Sequence, residues 1–586
     1  MNNSEKKQSL ALAEHYFKSN NYQFAEHILN AIIKLDSTNS KANELLAYIY
    51  GNKGDFNIAY ELLERSCSKD DCSPEALYYL GSSQLKLNQY EKAAQSFKKS
   101  IEKAGVFFEA LHDLATTYGH LGKNQEALSY YIDCLKLNQK SYELHFNIAK
   151  TLDDLKRYDE ALSHYDQAIQ LKPNYAEAWS NKGVTLHDLK RYDEALSHYD
   201  QAIQLKPNYA EAWSNKGNTL KDLKRYDEAL SHYDQAIQLK PNYAEAWSNK
   251  GVTLHDLKRY DEALSHYDQA IQLNPDNFDS YWNKSLTLLT LGNFRDGWDL
   301  YSYRWKKTNA YKYRHNNIDE LKSPDNLTNK NILIWFEQGY GDTIQFSRYI
   351  SKLTDLGANV TFEVQKPLLK IFTEQQKLVI TSEIQNHSEF DFQLPLLSLP
   401  KLFNTDICSI PNPSPIQIKS EDISIWKKKL SLSDKKLNIG LAISGNPNHK
   451  NDSNRSMKLD DLSSLLDIGE FFLLQKEINQ VDLDNLNKKK NLNFLGNQID
   501  DFLDTASIIM NMDLIITVDT SLIHLAGSLN KQSYLMLPWC PEWRWLLDRP
   551  DSPWYPSVKI FRQKSFGDWN SVIEDVKYEL SSLTQQ

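Results

Sequence analysis

The sequence is poor in cysteine and shows no metal-binding pattern. It contains five cysteines in 586 residues, an odd number scattered along the chain: Cys67, Cys72, Cys134, Cys408 and Cys540. No CxxC pair and no Cys/His ligand spacing occurs, which argues against a disulfide framework and against a zinc site. This usage is typical of a reduced compartment, so we expect a cytoplasmic protein without a metal or other cofactor.

Long apolar runs and a basic excess are also missing. No uninterrupted apolar stretch reaches membrane-spanning length, and the start, MNNSEKKQSLALAEHYF, lacks the apolar core of a signal peptide. The net charge is −10, whereas a dedicated nucleic-acid binder usually carries a clear basic excess. We therefore expect no membrane span and no nucleic-acid partner. The length exceeds what one core accommodates, so two or three domains are expected.

The first half of the chain is repetitive. Residues 157–190 recur unchanged at 225–258, and the copy at 191–224 differs only at Asn218 and Lys221. Within each unit YDEALSHYDQAIQL predicts an amphipathic helix, a proline follows it, and AEAW begins a second helix. An aromatic residue marks the same phase of the 34-residue period at Tyr22, Phe56, Tyr90, Tyr158, Tyr192, Tyr226, Tyr260 and Phe294, with Asn124 as the exception.

This period and helix pattern resemble the tetratricopeptide repeat. The resemblance implies an α-solenoid of about nine units over residues 1–307, in which each unit contacts its neighbours and the stack forms a superhelix with an inner groove.

An asparagine recurs two residues before the glycine on the first helix of these units. It stands at Asn147, Asn181, Asn215, Asn249 and Asn283. An amide offers one acceptor and two donors, which suits bidentate pairing with a peptide backbone. The spacing resembles the asparagine ladder of the O-GlcNAc transferase superhelix, which implies a groove that holds an extended protein or peptide. The alternative is a polar residue simply tolerated on a wet helix face.

The pattern changes after the repeats. Residues 308–330 are polar and aperiodic, which indicates a linker or strap. Apolar strand runs then alternate with helical stretches, a pattern that predicts parallel doubly wound sheets. The predicted strands lie within 331–338, 358–365, 377–383, 390–397, 435–445, 470–477, 491–496, 513–521 and 531–538. We therefore predict two Rossmann-like halves, 331–430 and 431–586.

Four blocks of this region resemble the heptosyltransferase-type family 9 glycosyltransferases, in particular bacterial proteins that fuse such a domain to tetratricopeptide repeats. The blocks are WFEQGYGDTIQFSRYI (335–350), SGNPNHKNDSNRSMKLDDL (444–462), MDLIITVDTSLIHLAGSL (512–529) and LPWCPEWRWLLDRPDSPWYPSVKIFRQ (537–563). The resemblance implies a glycosyltransferase B-type fold and an inverting, metal-independent transfer of a sugar from a nucleotide donor. It places the acceptor on the first half and the nucleotide sugar on the second.

The EQGYGD motif holds the candidate catalytic residue. Gly339 and Gly341 form a turn after the first strand, and a helix begins near Asp342. An inverting transfer needs a carboxylate that takes the proton of the acceptor hydroxyl. The resemblance makes Asp342 the candidate general base, and the alternative is a helix N-cap.

Two further motifs are candidates for binding the donor. In DTSLIHLA, Thr520, Ser521 and the following N–H groups would lie at a helix N-terminus, where a diphosphate is favoured. The resemblance adds Asp519 and makes His524 a donor to the phosphate, whereas a lone histidine is more often structural.

The polar loop NPNHKNDSNRS follows a strand and carries cations for a metal-free diphosphate, although it is also compatible with a solvated surface loop. Its candidate donor-binding residues, with a neighbouring lysine, are Ser444, Asn446, Lys450, Arg455 and Lys476. The Asp482–Asp484 pair lies in a hydrophilic stretch read as a loop, and we discount it as a metal site.

Family members that act on lipopolysaccharide carry no repeat array, so the resemblance leaves the acceptor class open. The sequence favours a glycosyltransferase whose acceptor is a protein or peptide held by the repeats. The alternatives are the same chemistry on a glycan or small acceptor, with the repeats used for assembly, and an interaction scaffold with an inactive transferase domain.

Overall fold

The computed structural model describes residues 3–68, 72–105, 107–310, 312–372, 377–413, 416–446, 451–478, 480–486 and 489–583. The chain forms two compact units, Met1–Pro241 and Asn242–Gln586. The repeat pattern runs past the division between them, because its last helices pack with the sheet-containing part of the chain.

The first unit consists of helices that pair with the next helix along the chain. They are α1 (Asn3–Lys18), α2 (Tyr22–Leu35), α3 (Ser40–Lys53), α4 (Phe56–Ser66), α5 (Pro74–Lys86), α6 (Tyr90–Ala104), α7 (Phe108–His120), α8 (Asn124–Leu137), α9 (Tyr142–Asp154), α10 (Tyr158–Leu171), α11 (Ala176–Asp188), α12 (Tyr192–Leu205), α13 (Ala210–Asp222) and α14 (Tyr226–Leu239). Each pair also contacts the next pair, as the repeat prediction requires.

Small residues let the paired helices approach closely. A Cβ built on Gly183 of α11 would lie 2.7 Å from the ring of Tyr199 on α12, and Gly217 and Tyr233 repeat this contact in the next pair. Both tyrosine rings are buried. The fixed glycine and tyrosine of the repeat are therefore explained by packing, and the α-solenoid prediction is confirmed for the repeat region.

One expectation about the cysteines is wrong. Cys67 and Cys72, at the end of α4 and just before α5, form a disulfide with their Cα atoms 4.7 Å apart. The cysteines were read as scattered along the sequence, so this pair was not predicted. The two residues lie on the short connection between α4 and α5. The structure therefore departs from the expectation of fully reduced cysteines.

The second unit begins with the remaining repeat helices and continues into two sheets. Its helices are α15 (Ala244–Asp256), α16 (Tyr260–Leu273), α17 (Phe278–Thr290), α18 (Phe294–Tyr301), α19 (Tyr340–Phe346), α20 (Ile350–Asp355), α21 (Leu399–Leu402), α22 (Ser420–Lys429), α23 (Asp452–Arg455), α24 (Gln480–Leu486), α25 (Phe502–Asn511), α26 (Ser521–Ser528) and α27 (Trp569–Leu583). Helices α1 to α18 form nine successive pairs in the described part of the chain, matching the predicted number of repeats.

Both sheets are parallel, as predicted. The strands are β1 (Asn331–Trp335), β2 (Asn359–Glu363), β3 (Leu378–Thr381), β4 (Phe392–Pro395), β5 (Leu437–Ala442), β6 (Gly469–Leu473), β7 (Leu492–Phe494), β8 (Leu514–Val518), β9 (Ser533–Leu537) and β10 (Val558–Arg562). The first sheet has the order β3-β2-β1-β4 and the second the order β10-β9-β8-β5-β6-β7. The second order is that of a doubly wound nucleotide-binding sheet.

Two sequence interpretations need correction. Strand β10 was not predicted, because its five residues lie inside a tryptophan-rich block that was read as a motif. The Asp482–Asp484 pair lies on α24 and not in a loop, and a carboxylate oxygen of Asp482 accepts a hydrogen bond from the backbone N–H of Leu459 at 3.0 Å.

The predicted linker is a strap packed on the first sheet. Its backbone pairs with β4, since the N–H of Gln393 donates to the carbonyl of Asp319 at 2.8 Å and the N–H of Leu321 donates back to Gln393 at 2.9 Å. Arg314 donates to the carboxylate of Glu363, at the end of β2, at 2.7 Å. The segment is therefore part of the folded unit.

The last repeat pair shares a hydrophobic core with the sheets. Phe294, Trp298 and Tyr301 of α18 are buried in the same cluster as Ile332 of β1 and Trp543. The ring centroids of Trp298 and Trp543 are 5.2 Å apart, in an edge-to-face arrangement. This core holds α17 and α18 in the second unit.

Candidate functional site

The strand orders identify where a ligand of this fold would bind. The order reverses between β1 and β4 in the first sheet and between β5 and β8 in the second. In doubly wound sheets, ligands occupy the crevice outside the carboxyl ends of the strands at such points. The residues there are 336–342 after β1, 443–446 after β5 and 519–521 after β8. They include eight of the twelve residues predicted for catalysis, the glycine turn and donor binding.

The helices that follow β1 and β8 touch each other. A Cβ built on Gly341 of α19 would lie 2.7 Å from Cδ2 of His524 and 3.4 Å from the Cα of Ser521, both on α26. Only a residue without a side chain allows this approach. The glycine turn of the EQGYGD motif and the helix N-terminus of the DTSLIHLA motif are therefore brought together.

The two carboxylate oxygens of Asp342 have different partners. Oδ2 accepts a hydrogen bond from the backbone N–H of Gly339 at 2.8 Å, which caps α19. Oδ1 accepts a charge-assisted hydrogen bond from Nη2 of Arg544. The N-cap of α19 is Gly339, and Asp342 is the third residue of the helix, so it caps the helix from inside and is not the N-cap itself. The predicted role of general base stays a prediction. The Asp342 side chain keeps 18% of its surface exposed.

Arg544 is the centre of a polar cluster that also contains Asp342, Glu542 and Gln345. It lies in the short 3-10 turn Trp543–Trp545, after β9, and its side chain is 7% exposed. Besides Asp342, its Nη1 donates to Glu542 and its Nε donates to the side-chain oxygen of Gln345 on α19 at 2.6 Å. One guanidinium therefore ties the turn after β1 to the loop after β9.

A second arginine lies on the other side of the cluster. Nη1 of Arg455, at the end of α23, donates to the backbone carbonyl of Asp519 at 2.8 Å, and its Nε donates to Asp452 at 3.4 Å. The guanidinium occupies the space where a side chain on Gly445 would stand. The predicted cation Arg455 and the predicted DTS motif are thus direct neighbours.

The charged groups around Arg544 and Arg455 shift one another's pKa values. Burial raises the pKa of the Asp519 carboxyl, while Arg455 and Arg544 oppose the rise and the charge of Asp342 adds to it. Burial likewise raises the pKa of Glu542 to about 6, against the attraction of Arg544. The pKa of Arg544 is raised because the charges of Glu542 and Asp342 outweigh its burial. Such perturbation is typical of functional sites, although structural ion pairs produce it too.

His524 is buried and neutral. Burial, and next the charge of Arg544, lower the pKa of its imidazole well below the ordinary value. Its Nδ1 lies 3.1 Å from the hydroxyl of Tyr555, and its ring stacks on Trp545 at a centroid distance of 5.5 Å. The ring packs against Gly341 and these aromatic residues, so the predicted hydrogen bond to a phosphate stays a prediction. Trp543, Trp545, Trp554 and Tyr555 are buried.

The remaining donor-site candidates lie around the ends of β5 and β6. The hydroxyl of Ser444 accepts a hydrogen bond from the side chain of Gln475 at 2.8 Å. Asn446 is exposed, and Lys450 lies outside the described residues. Lys476 is exposed and donates to the backbone carbonyl of Asp500 at 3.0 Å, and among the described residues no hydrogen bond joins it to Arg455.

Thr520 is the N-cap of α26, and its hydroxyl accepts a hydrogen bond from the N–H of Leu522 at 3.3 Å. The neighbouring Ser521 is the first residue of the helix. The N–H groups of Leu522 and Ile523 donate to Thr520, at the hydroxyl and the backbone carbonyl respectively, and the predicted contact with a diphosphate stays a prediction.

The repeated asparagines occupy equivalent positions on first helices. Asn147, Asn181 and Asn215 lie on α9, α11 and α13, which contact one another in succession. In the second unit Asn249 and Asn283 lie on the neighbouring helices α15 and α17. All five side chains are half-buried. The amide of Asn147 lies 3.4 Å from Nε2 of His112.

The other four asparagine amides form no hydrogen bond to the described residues. The amides at 181, 215, 249 and 283 accordingly keep their donor and acceptor capacity for another molecule or for water.

Several residues of this site were missed at the level of sequence. Arg544, Glu542 and Gln345 form the polar cluster with Asp342, and a buried ion pair joins Arg304 to Glu337 just after β1. Glu337 is part of the EQGYGD motif and follows a buried strand directly, which was a signal for it. Arg544 was visible only as one charge among the aromatic residues of WRW.

Comparison with family models matches the repeats. A tetratricopeptide repeat model matches residues 176–209, 210–243 and 244–277, a TPR repeat model matches 154–190, and a further tetratricopeptide repeat model matches 109–144. The N-terminal part of the chain is a tetratricopeptide repeat array. A model of anaphase-promoting complex, cyclosome, subunit 3 matches residues 18–100 of this array. No curated protein matches the sequence.

Solved structures resemble the array only loosely. The Cut9–Hcn1 hetero-tetramer of the APC/C is 20% identical, with 49% of this chain and 57% of that chain covered and a TM-score of 0.35. YrrB, described as a TPR protein with an unusual peptide-binding site, is 25% identical over 33% of this chain and 100% of its own, with a TM-score of 0.26. A repeat protein from Parabacteroides merdae is 17% identical over 42% of this chain and 98% of its own, with a TM-score of 0.39.

No helix in the described ranges combines the length and the apolar character that a transmembrane segment needs.

Proposed function

We propose that the protein is an inverting, metal-independent glycosyltransferase that moves a sugar from a nucleotide sugar to a protein or peptide held by the repeat array. The observation that carries this proposal is the ion pair of Asp342 with Arg544, together with the hydrogen bond from Arg455 to the backbone carbonyl of Asp519, at the carboxyl ends of two parallel sheets. A carboxylate for the acceptor and cations for the leaving group thus lie in one cluster.

The two sheets support a glycosyltransferase B-type arrangement. In such a fold the first half, 331–430, faces the acceptor and the second half, 431–586, binds the nucleotide. The second sheet has the nucleotide-binding strand order, and its reversal point is flanked by Arg455 and by the N-terminus of α26. A diphosphate at this position would meet backbone N–H groups and one guanidinium, which supplies countercharge without a metal.

The proposed reaction needs a base and a leaving-group site. A cluster carboxylate takes the proton of the acceptor hydroxyl while its oxygen attacks the anomeric carbon from the face opposite the diphosphate. Asp342 is the base that the sequence predicts. Gly339 would let the reacting groups come close to the start of α19, because it carries no side chain, whereas the space beside Gly341 is filled by His524.

The proposed acceptor is an extended protein segment. The amides of Asn181 and Asn215 lie on adjacent helices and make no hydrogen bond to the described residues, so they are available for a peptide backbone. Repeats of this kind suggest protein or peptide partners. The notion of a backbone clamp rests on these amides and on their equivalent position in successive helices.

The first experiment tests donor binding by thermal shift with UDP-, GDP-, ADP-, dTDP- and CMP-linked sugars. We expect one class to raise the melting temperature of the wild type and to leave Arg455→Gln unchanged, because the variant loses the cation beside Asp519. Arg549→Gln is the matched control. Arg549 pairs with Asp551, and among the described residues it contacts no predicted site residue. If no donor stabilises the wild type, the transferase proposal fails.

The acceptor half is tested with Asn181→Ala, Asn215→Ala and Asn249→Ala combined. We expect transfer to a protein acceptor to fall, while hydrolysis of the donor is kept. Asn174→Ala, at an exposed turn position, is the control. Unchanged transfer to protein would remove the clamp and favour a glycan or small acceptor, with the repeats used for assembly.

A second candidate function is an interaction scaffold with an inactive transferase domain. The observation that favours it is the engagement of both Asp342 oxygens, one in a helix cap and one in an ion pair. This function predicts that no nucleotide sugar binds, so the thermal-shift panel separates the two candidates.

A further inference from the structure

Two carboxylates compete for one cation in the cluster. Nη2 of Arg544 donates to Asp342, and Nη1 of the same guanidinium donates to Glu542. The two carboxylates are neighbours, because the terminal nitrogens of a guanidinium are close together. A single positive charge cannot neutralise both acids, so the charge of Asp342 disfavours the ionised form of Glu542.

The two acids differ in how firmly their oxygens are held. Asp342 is fixed at both oxygens, by the N–H of Gly339 at 2.8 Å and by Arg544. Glu542 is held firmly at one oxygen only, and its other oxygen accepts a longer bond, 3.3 Å, from the backbone N–H of Arg544. The side chain of Glu542 is 35% exposed, against 18% for Asp342. Glu542 is therefore the more exposed and the less firmly held of the two carboxylates.

The surroundings of Glu542 support this assignment. The charged groups that face it are Arg544, Asp519 and Asp342. Burial together with the two aspartates raises the pKa of Glu542 from 4.5 to about 6 although Arg544 opposes the change. A base is most efficient when its pKa lies near the working pH, since it is then both deprotonated and able to accept a proton.

The backbone of the loop is also unusual. Leu546, directly after the 3-10 turn that carries Arg544, has a φ of 53°. A branched side chain is rarely found in this conformation, which persists only where the surrounding structure imposes it. The residues around Arg544 are thus held in place rather than free to relax.

We infer that Glu542 takes the proton of the acceptor hydroxyl, while Asp342 positions Arg544 and the turn after β1 through its hydrogen bonds. The inference rests on the proposed function and assigns the base to a different residue of the same site. In the step, the acceptor O–H bond breaks and its oxygen bonds to the anomeric carbon. The bond from that carbon to the diphosphate breaks with both electrons leaving on the diphosphate, and the proton passes to Glu542 and then to water.

The test compares Glu542→Gln and Asp342→Asn with Glu574→Gln, a control on the exposed face of α27. Donor binding is measured by thermal shift, and turnover by release of the nucleoside diphosphate, from about pH 5 to about pH 9. We expect Glu542→Gln to bind the donor as the wild type does, to lose turnover by about 100-fold or more, and to lose the acidic limb of the pH profile near about pH 6. Asp342→Asn should lose turnover but keep that limb.

The opposite pattern would overturn the inference. If Asp342→Asn removes the acidic limb, or Glu542→Gln keeps more than about a tenth of wild-type turnover, Asp342 is the base and Glu542 has a structural role.

A measurement without substrate separates this failure from failure of the proposed function. A carboxyl whose folded pKa is raised stabilises the fold at low pH and loses that contribution as the pH rises through the folded pKa. The melting temperature of Glu542→Gln relative to the wild type should therefore increase from about pH 4.5 to about pH 7, and a flat difference would contradict the raised pKa of Glu542. If no donor binds the wild type, the proposed function and the base assignment both fail. The melting curves then still test whether the pKa of Glu542 is raised.

Discussion

Gly341 and His524 are in direct contact across the two helices that carry the main candidate motifs. A methyl group on Gly341 would lie 2.7 Å from Cδ2 of the imidazole, and the ring has little room to move because it stacks on Trp545. This contact links the turn after β1 to the helix after β8 without any polar interaction. The close approach of α19 and α26 therefore depends on the absence of one side chain.

We expect Gly341→Ala to destabilise the second unit. Forcing a methyl group into a packed contact costs about 1–3 kcal/mol. Urea unfolding measures the loss. The control is Gly339→Ala, where a Cβ would meet only Oδ2 of Asp342, at 3.2 Å, and where φ is −72°. A Gly341→Ala variant as stable as the control would show that the helices can separate at little cost.

Arg304 and Glu337 form a buried ion pair that attaches the last repeat to the candidate site. The side chains are 1% and 0% exposed, and the guanidinium donates to both carboxylate oxygens, at 2.6 and 3.0 Å. Removing one partner leaves a buried charge, so we expect Arg304→Met to cost about 3–5 kcal/mol in the free energy of unfolding.

A double-mutant cycle with Glu337→Gln tests the coupling of this pair. The cost of the second change should be much smaller once the first is made, because the uncompensated charge is already gone. Arg295→Met, at an exposed position of α18, is the matched control. Strict additivity of the two changes would contradict the proposed coupling.

The repeats and most strands could be predicted because their signals are local. The period of 34 residues marks both helices of each pair, and buried parallel strands such as β5 and β8 read as short apolar runs. Strand β10 was missed because its five residues, VKIFR, lie inside the tryptophan-rich block that was read as a motif.

The candidate site was predictable only in part. The glycine turn and the DTS motif indicated Asp342, Thr520 and Ser521, since the positions of helix ends follow from the sequence. The role of Arg544 depends on a tertiary contact with Asp342, which no local pattern encodes. For the same reason the sequence could not foresee that Lys476 is directed to the carbonyl of Asp500.

The two compact units indicate which fragments of the chain should fold on their own. Phe294, Trp298 and Tyr301 are buried in the core of the sheet-containing part. Each large aromatic side chain removed from such a core costs about 3–5 kcal/mol. A chain beginning at 308 should therefore fail to fold, whereas chains covering 1–241 or 242–586 should unfold cooperatively. Circular dichroism melting of the three fragments checks this, and a stable fragment from 308 onward would contradict it.

His187 makes the stability of the first unit depend on pH. Its imidazole lies between Asp188, at 3.5 Å, and Asp222, at 3.0 Å, and hydrogen bonds to these two carboxylates raise its pKa to about 9. A raised folded pKa means that the stabilisation is fully present below the ordinary pKa of 6.5 and is lost as the pH rises through about 9.

We expect His187→Gln to lower the free energy of unfolding by about 1 kcal/mol near about pH 6 and to leave it unchanged near about pH 10, a modest size because the three side chains are partly exposed. Urea unfolding of the 1–241 fragment at several pH values measures the difference. His198→Gln is the control with the opposite trend, since burial lowers the pKa of His198. The stability of the wild type relative to that control should rise with pH through the ordinary titration range of histidine. Equal pH trends for the two variants would show that the carboxylates do not hold the charge of His187.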